Sequence, residues 1–133
     1  MNDKFNTDNI KIVLVDDSDF SRSIIKKMLS DAGFQIVGEA NSAEKALEVI
    51  RDKKPNIVIT DIVMPSISGI ELTEKINKDY DNISIVVMSS LSQEHIVLEA
   101  IGAGASDFIP KPIQEEQLID SIQKIARQIQ LDN

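Results

Sequence analysis

The 133-residue chain sets 14 Lys and Arg against 22 Asp and Glu, a net charge of −8. That length supplies one hydrophobic core, and with no Cys and a single His it excludes a disulfide framework and makes a structural zinc site an unsuitable reading. The acidic balance argues against a dedicated DNA- or RNA-binding domain. No apolar stretch reaches the ~18–20 residues needed to cross a bilayer, and the polar Met1–Thr7 start lacks a signal region, so a soluble, cytoplasmic protein is expected.

Two periodicities alternate along the chain. Ile10-Lys11-Ile12-Val13-Leu14-Val15 is a short β-branched run that stops at Asp16-Asp17, the pattern of a strand buried on both faces. Ile24, Ile25, Met28, Leu29 and Ala32 then fall at helical spacing, with Ser18 or Asp19 as the cap and Gly33 as the stop. Gln35–Ala40 is a second, weaker strand. A helix carrying Ala43, Ala46, Leu47 and Ile50 follows and is closed by Lys53-Lys54-Pro55. Ile57–Thr60 is the third strand, ending in Asp61. A loop with Pro65 and Gly69 leads to a helix bearing Leu72, Thr73 and Ile76.

Ile83–Met88 is the fourth strand, ending in Ser89-Ser90. The next helix is expected to bury Ile96, Val97, Ala100 and Ile101. Asp107-Phe108-Ile109 is a fifth short strand ending in Pro110-Lys111-Pro112, and the last helix aligns Leu118, Ile122, Ile125 and Ile129. Five strands alternating with five helices predict an α/β fold, a doubly wound parallel sheet between two helical layers, because right-handed crossovers place helices on both faces. Residues 1–9 read as a short N-terminal extension and 10–131 as the domain.

The strand ends hold the chemistry. Ligands of open parallel sheets bind beyond the carboxyl ends of the strands, where strand order reverses. Four strands here deliver Asp16 and Asp17, Asp61, Ser89 and Lys111 to that edge. Three carboxylates in one crevice repel one another unless a cation intervenes, and an oxygen-only donor set suits Mg²⁺. A carboxylate in such a site is a nucleophile for phosphoryl groups, giving an aspartyl phosphate. Lys111 would add positive charge at the phosphoryl oxygens, and Ser89 a hydroxyl donor.

Taken together, Val15-Asp16-Asp17-Ser18, Thr60-Asp61-Ile62-Val63-Met64-Pro65 with Gly69, Met88-Ser89-Ser90 and Asp107-Phe108-Ile109-Pro110-Lys111-Pro112 resemble the receiver domain of two-component response regulators, of the stand-alone chemotaxis kind. The resemblance covers residues 10 to 130. It implies a flavodoxin-like sheet of order 2-1-3-4-5 and a phosphoacceptor at Asp61. Mg²⁺ would be held by Asp16, Asp17, Asp61 and the Val63 backbone carbonyl, while Ser89 and Lys111 would meet the phosphoryl group. It also implies a cis Lys111–Pro112 bond and a switch aromatic at Phe108. The implied donor is a histidine kinase or a histidine phosphotransfer protein. The implied output is protein binding through the fourth helix, fifth strand and fifth helix, in a chemotaxis-like pathway or as a phosphorelay intermediate.

Each motif has a plainer meaning in isolation. Asp16-Asp17-Ser18 alone is a helix cap with solvated acids, Asp61 a turn residue, Phe108, Met64 and Met88 core, and His95 a solvated side chain. Lys26-Lys27 and Lys53-Lys54 read as solvated faces. An aspartate phosphatase of the haloacid dehalogenase type would want a second Asp two residues after its nucleophile, where this chain has Val63. A flavodoxin-type phosphate cradle would be repelled by Asp16-Asp17-Ser18-Asp19. Pro110 is tolerable only if the fifth strand lies at an edge. Val63 and Leu91, two residues beyond Asp61 and Ser89, are apolar where attacking water must approach, so slow self-dephosphorylation is expected.

Overall fold

The computed structural model describes residues 7–131. Its strands are β1 (Lys11–Val15), β2 (Gln35–Ala40), β3 (Ile57–Asp61), β4 (Ser84–Ser89) and β5 (Asp107–Pro110). They alternate with α1 (Asp19–Asp31), α2 (Ala43–Lys53), α3 (Gly69–Asp79), α4 (Glu94–Gly102) and α5 (Glu115–Leu131). All pairings are parallel, and the order is β2-β1-β3-β4-β5. The chain steps to one side of β1 to form β2, then runs the other way through β3, β4 and β5. Right-handed crossovers in opposite directions place helices on opposite faces.

The strand side chains divide accordingly. Val13, Val15, Val58, Ile85 and Val87 pack with Ala46, Ile50, Leu72, Ile76 and Ala100 of α2, α3 and α4. The alternate residues Ile12, Leu14, Ile57, Ile59, Val86 and Met88 pack with Ile25, Leu29, Leu118, Ile122 and Ala126 of α1 and α5. β1 and β3 are thus apolar on both faces, which is why they read as continuous runs. Met64 and Met88 are both buried.

The helix starts follow capping chemistry. Ser18, Ser42 and Ser68 each accept the backbone N–H three residues on, which decides the first cap in favour of Ser18 over Asp19. β5 is an edge strand, so Pro110, opposite Ser89, costs the sheet no interior hydrogen bond. Lys111 N–H bonds the Ser89 carbonyl at 2.9 Å, and the Lys111–Pro112 peptide is cis. No helix among the described residues is long and apolar enough to cross a membrane.

One expectation needs amendment. Ile101 was assigned to the buried stripe of α4, but it is 46% exposed, as is Leu98 at 63%, and Ala100 is the fully buried residue of that helix. A nine-residue helix with apolar side chains on nearly every side has no period that selects a face. Residues 7–9 of the expected N-terminal extension are held against the domain. Thr7–Asn9 form a 3-10 turn, and Asn56 clamps it by donating from Nδ2 to the Asn9 carbonyl at 2.6 Å while its Oδ1 accepts from Lys11 N–H at 2.8 Å. The rest of the expected extension, 1–6, lies outside the described residues.

Candidate functional site

The carboxyl edge of β1 and β3 is where the strand order reverses. There α1 departs to one face and α3 to the other, and the strand ends are left under an open crevice. Asp16, directly after β1, is fully buried, and its backbone N–H bonds the Ala40 carbonyl at 3.1 Å. Its Oδ1 accepts Ser18 N–H at 2.9 Å and its Oδ2 accepts the Ser21 hydroxyl at 2.6 Å. Asp17 is exposed beside it. Asp61, the last residue of β3, is only 8% exposed.

Carboxylate oxygens of Asp16, Asp17 and Asp61 all lie within 4.8 Å of one another. Lys111, just past β5, reaches back across the sheet edge. Its Nζ lies 2.9 Å from Asp61 Oδ2, 3.3 Å from Asp16 Oδ2 and 3.3 Å from Ser21 Oγ. One ammonium therefore pairs with two of the three carboxylates.

The electrostatics follow from that arrangement. Burial pushes the Asp61 carboxyl above its ordinary value and Asp16 adds repulsion, against the opposing pull of Lys111 and the Val63 N–H. Burial alone would lower the Lys111 ammonium, but Asp61 and Asp16 together hold it above its usual value. The donor set around the crevice is oxygen only, with the exposed Asp17 at its mouth and a surplus of negative charge. These residues fit a hard divalent cation, and Asp16, Asp17 and Asp61 could hold it.

The structure brings together Asp16, Asp17, Asp61 and Lys111. Ser89 is fully buried at the end of β4, but its hydroxyl is engaged elsewhere, accepting Leu91 N–H at 2.9 Å. Phe108 is half-buried against the cluster under α2, α3 and α4. Val63 and Leu91 are 55% and 39% exposed. His95 is exposed, as expected for a solvated side chain. Lys26 pairs with Glu39 and Lys27 with Asp31, on exposed faces.

Two supporting residues, Ser21 and Arg22, escaped the sequence reading, and Thr73 was read only as part of its helix. Ser21 bonds both Asp16 and Lys111. Arg22 donates to the Asp16 carbonyl at 2.6 Å while pairing with Asp19 and Glu39. Thr73 donates to the Gly69 carbonyl at 2.7 Å, steadying the start of α3 beneath the loop. The available signal for Ser21 and Arg22 was position: they lie one helical turn beyond Ser18, on the first turn of a helix that starts at the crevice.

Gly69 answers a packing demand. A Cβ there would overlap the Asp61 carbonyl oxygen and lie 2.8 Å from the Asp61 carbonyl carbon. The loop from Asp61 closes with Gly69 N–H on the Ile62 carbonyl at 2.8 Å.

Residues 12–123 match the family described as response regulator receiver domain. The chain is 38% identical over 117 residues to the chemotaxis protein CheY of Thermotoga maritima, covering 88% of this chain and 98% of that protein. It is 37% identical over 114 residues to CheY of Bacillus subtilis, covering 86% and 95% respectively. Among solved structures it is similar to the CheX-CheY-BeF3-Mg+2 complex from Borrelia burgdorferi, with a TM-score of 0.84 at 26% identity over 87% of this chain and 88% of that one. The family match spans all four strand ends that converge on the crevice, and the chain belongs to the response regulator receiver domain family.

Proposed function

We propose that Asp61 accepts a phosphoryl group from a phosphohistidine on a histidine kinase or a histidine phosphotransfer protein, and that residues 10–131 act as one phosphorylation-dependent binding module. The observation that carries this reading is the approach of Lys111 Nζ to 2.9 Å from Asp61 Oδ2 within a cluster of three carboxylates. An Asp61 carboxylate oxygen forms a bond to phosphorus as the phosphorus–nitrogen bond breaks, and the imidazole leaves with the bonding pair. Lys111 turns from the carboxylate to the phosphoryl oxygens, and the Ser89 hydroxyl, which accepts Leu91 N–H at rest, donates its proton to a phosphoryl oxygen.

Asp16, Asp17 and Asp61, with the Val63 carbonyl, would hold Mg²⁺, which when bound neutralises charge on the phosphoryl oxygens. The chain has no turnover of its own substrate in this role and serves as a signalling element. Two residues past Asp61 stands exposed Val63, not a carboxylate, so a phosphatase-type acid–base residue is lacking at that position.

Movement of Ser89 frees space at the end of β4, into which Phe108 of the adjacent edge strand can turn. Its ring is only half-buried and already packs on the neighbouring cluster, so the shift biases the face formed by α4, β5 and α5. Output is then protein binding in the cytoplasm, without nucleic acid or membrane insertion, in a chemotaxis-like pathway. A phosphorelay is the alternative setting.

The test is acetyl phosphate or beryllofluoride with Mg²⁺, followed by amide shifts in the wild type and in Asp61→Asn. Saturable, Asp61-dependent shifts that spread to α4 and β5 are expected. Identical spectra for the two proteins would refute the assignment.

A further inference from the structure

We infer that Ser21 is a positioning residue of the acidic pocket, its hydroxyl orienting the Asp16 carboxylate toward a divalent cation and steadying Lys111 between Asp16 and Asp61. This rests on the function proposed above and extends it to a residue outside the strand-end set.

The hydrogen bonds fix the direction of every proton involved. A serine hydroxyl has one proton and an ammonium has three and no acceptor. Ser21 Oγ lies 2.6 Å from Asp16 Oδ2, within the range of a charge-assisted bond to a carboxylate, so the proton points at Asp16. The Ser21 lone pairs are left for Lys111 Nζ at 3.3 Å. With Asp61 Oδ2 and Asp16 Oδ2, Ser21 Oγ completes three oxygen partners for three ammonium protons.

The Asp16 carboxylate is gripped from one place. Ser18 N–H holds Oδ1 and Ser21 O–H holds Oδ2, and both belong to the start of α1. The Ser21 N–H in turn bonds Ser18 Oγ at 3.1 Å, so the cap and the carboxylate clamp are one unit. The plane of Asp16 is therefore set by the helix and does not depend on where Lys111 points. That independence matters when Lys111 turns toward a phosphoryl group, because Asp16 must keep its orientation while its charged partner moves. Groups that orient a metal-binding carboxylate in this way typically alter metal affinity about 10–100-fold when removed.

The surroundings of Ser21 provide a clean comparison. The side chain borders an apolar groove lined by Phe20, Ile24, Ile25, Pro112 and Ile113, which can receive an added methyl group. Ser21→Thr keeps the hydroxyl, and Ser21→Val has the same shape without it. The two share the helix cost of a β-branched side chain.

Magnesium alone is titrated into the wild type and both variants at one pH and ionic strength, following amide shifts around Asp16 and Asp61, with thermal unfolding measured in parallel. Ser21→Thr is expected within about twofold of the wild-type affinity and Ser21→Val about tenfold weaker. Ser21→Ala, which adds no volume, is expected to match Ser21→Val and replaces it should that variant not fold. Equal Mg²⁺ affinities in the hydroxyl-bearing and hydroxyl-lacking proteins would overturn the role of Ser21 and leave the proposed function standing. Absence of saturable Mg²⁺ binding in the wild type would overturn both.

Discussion

Gly69→Ala tests how rigidly the fold holds the candidate acceptor. The new Cβ would overlap the Asp61 carbonyl oxygen and sit 2.8 Å from its carbonyl carbon and 2.9 Å from Ile62 Cα. All three are backbone atoms, so no rotamer change relieves the contact. β3 cannot retreat, because Thr60 pairs with Val15 and Asp61 with Met88. The start of α3 must move instead, which stretches the 2.8 Å bond from Gly69 N–H to the Ile62 carbonyl. Overpacking of this kind costs about 1–3 kcal/mol and a lost backbone bond about 1 kcal/mol more, for a total of roughly 2–4 kcal/mol. In a domain of this size that is a fall of roughly 6–20 °C in melting temperature. Gly102→Ala is the control. It ends α4 with nothing within 4 Å of the added atom, and it is expected to be neutral or stabilising by up to about 1 kcal/mol. Thermal unfolding by circular dichroism reads both. A Gly69→Ala midpoint within ~2 °C of wild type would refute the claim that backbone contact at Asp61 demands glycine.

Three further outcomes follow from the same site. Burial holds the Asp61 carboxyl above its ordinary value, so between the unfolded and folded values the native chain binds more protons than the unfolded chain, and stability falls as pH rises through that window. Asp61→Asn removes this, while Lys111 keeps Asp16 at 3.3 Å. Its melting temperature should exceed wild type at pH 7, by a margin that shrinks as pH falls from the raised folded value toward the ordinary carboxylate value; a pH-independent margin would count against burial as the cause. Ser66 sits in the loop after Asp61 with φ of 68°, a left-handed conformation that favours glycine, so Ser66→Gly should raise stability by up to about 1 kcal/mol in denaturant titration. Val63 is exposed two residues beyond the proposed acceptor Asp61, and Val63→Asn should shorten the lifetime of the phosphorylated state by admitting and orienting water, with an unchanged decay rate as the contrary result.

How much of this was legible in the sequence depended on what kind of signal each residue left. Asp16, Asp61 and Lys111 stand where apolar runs stop, and their joint placement at the ends of different strands of one parallel sheet is what points to a site. The sheet order could not be read from periodicity, because β1, β3 and β4 have similar apolar runs; it came with the family resemblance and is confirmed by the pairing. Ser21 was missed because a serine on the polar side of a helix looks solvated until the turn is built and its hydroxyl is found 2.6 Å from Asp16. Ile101 failed for the opposite reason, since α4 offers too many apolar residues for spacing to choose among them. The slip in the β1–β2 register between Ile12 and Val13 leaves no mark in composition at all.

The placement of charge also explains why the site is where it is. Among the described residues, the buried ionisable side chains are Asp16 and Asp61, and both lie at the carboxyl ends of the two strands that flank the reversal of sheet order. Elsewhere along the sheet a helix covers the strand faces and an unpaired carboxylate there would be expelled to solvent or neutralised. At the reversal, α1 and α3 leave to opposite faces, so carboxylates can be drawn out of bulk water and still be reached through exposed Asp17. Lys111 offsets one of the three negative charges and leaves the resting pocket short of neutral. The shortfall suits the crevice to a divalent cation, which Asp16, Asp17 and Asp61 could hold. The lysine's shared attachment to Asp16, Asp61 and Ser21 then leaves it free to exchange one oxygen partner for another without abandoning the rest.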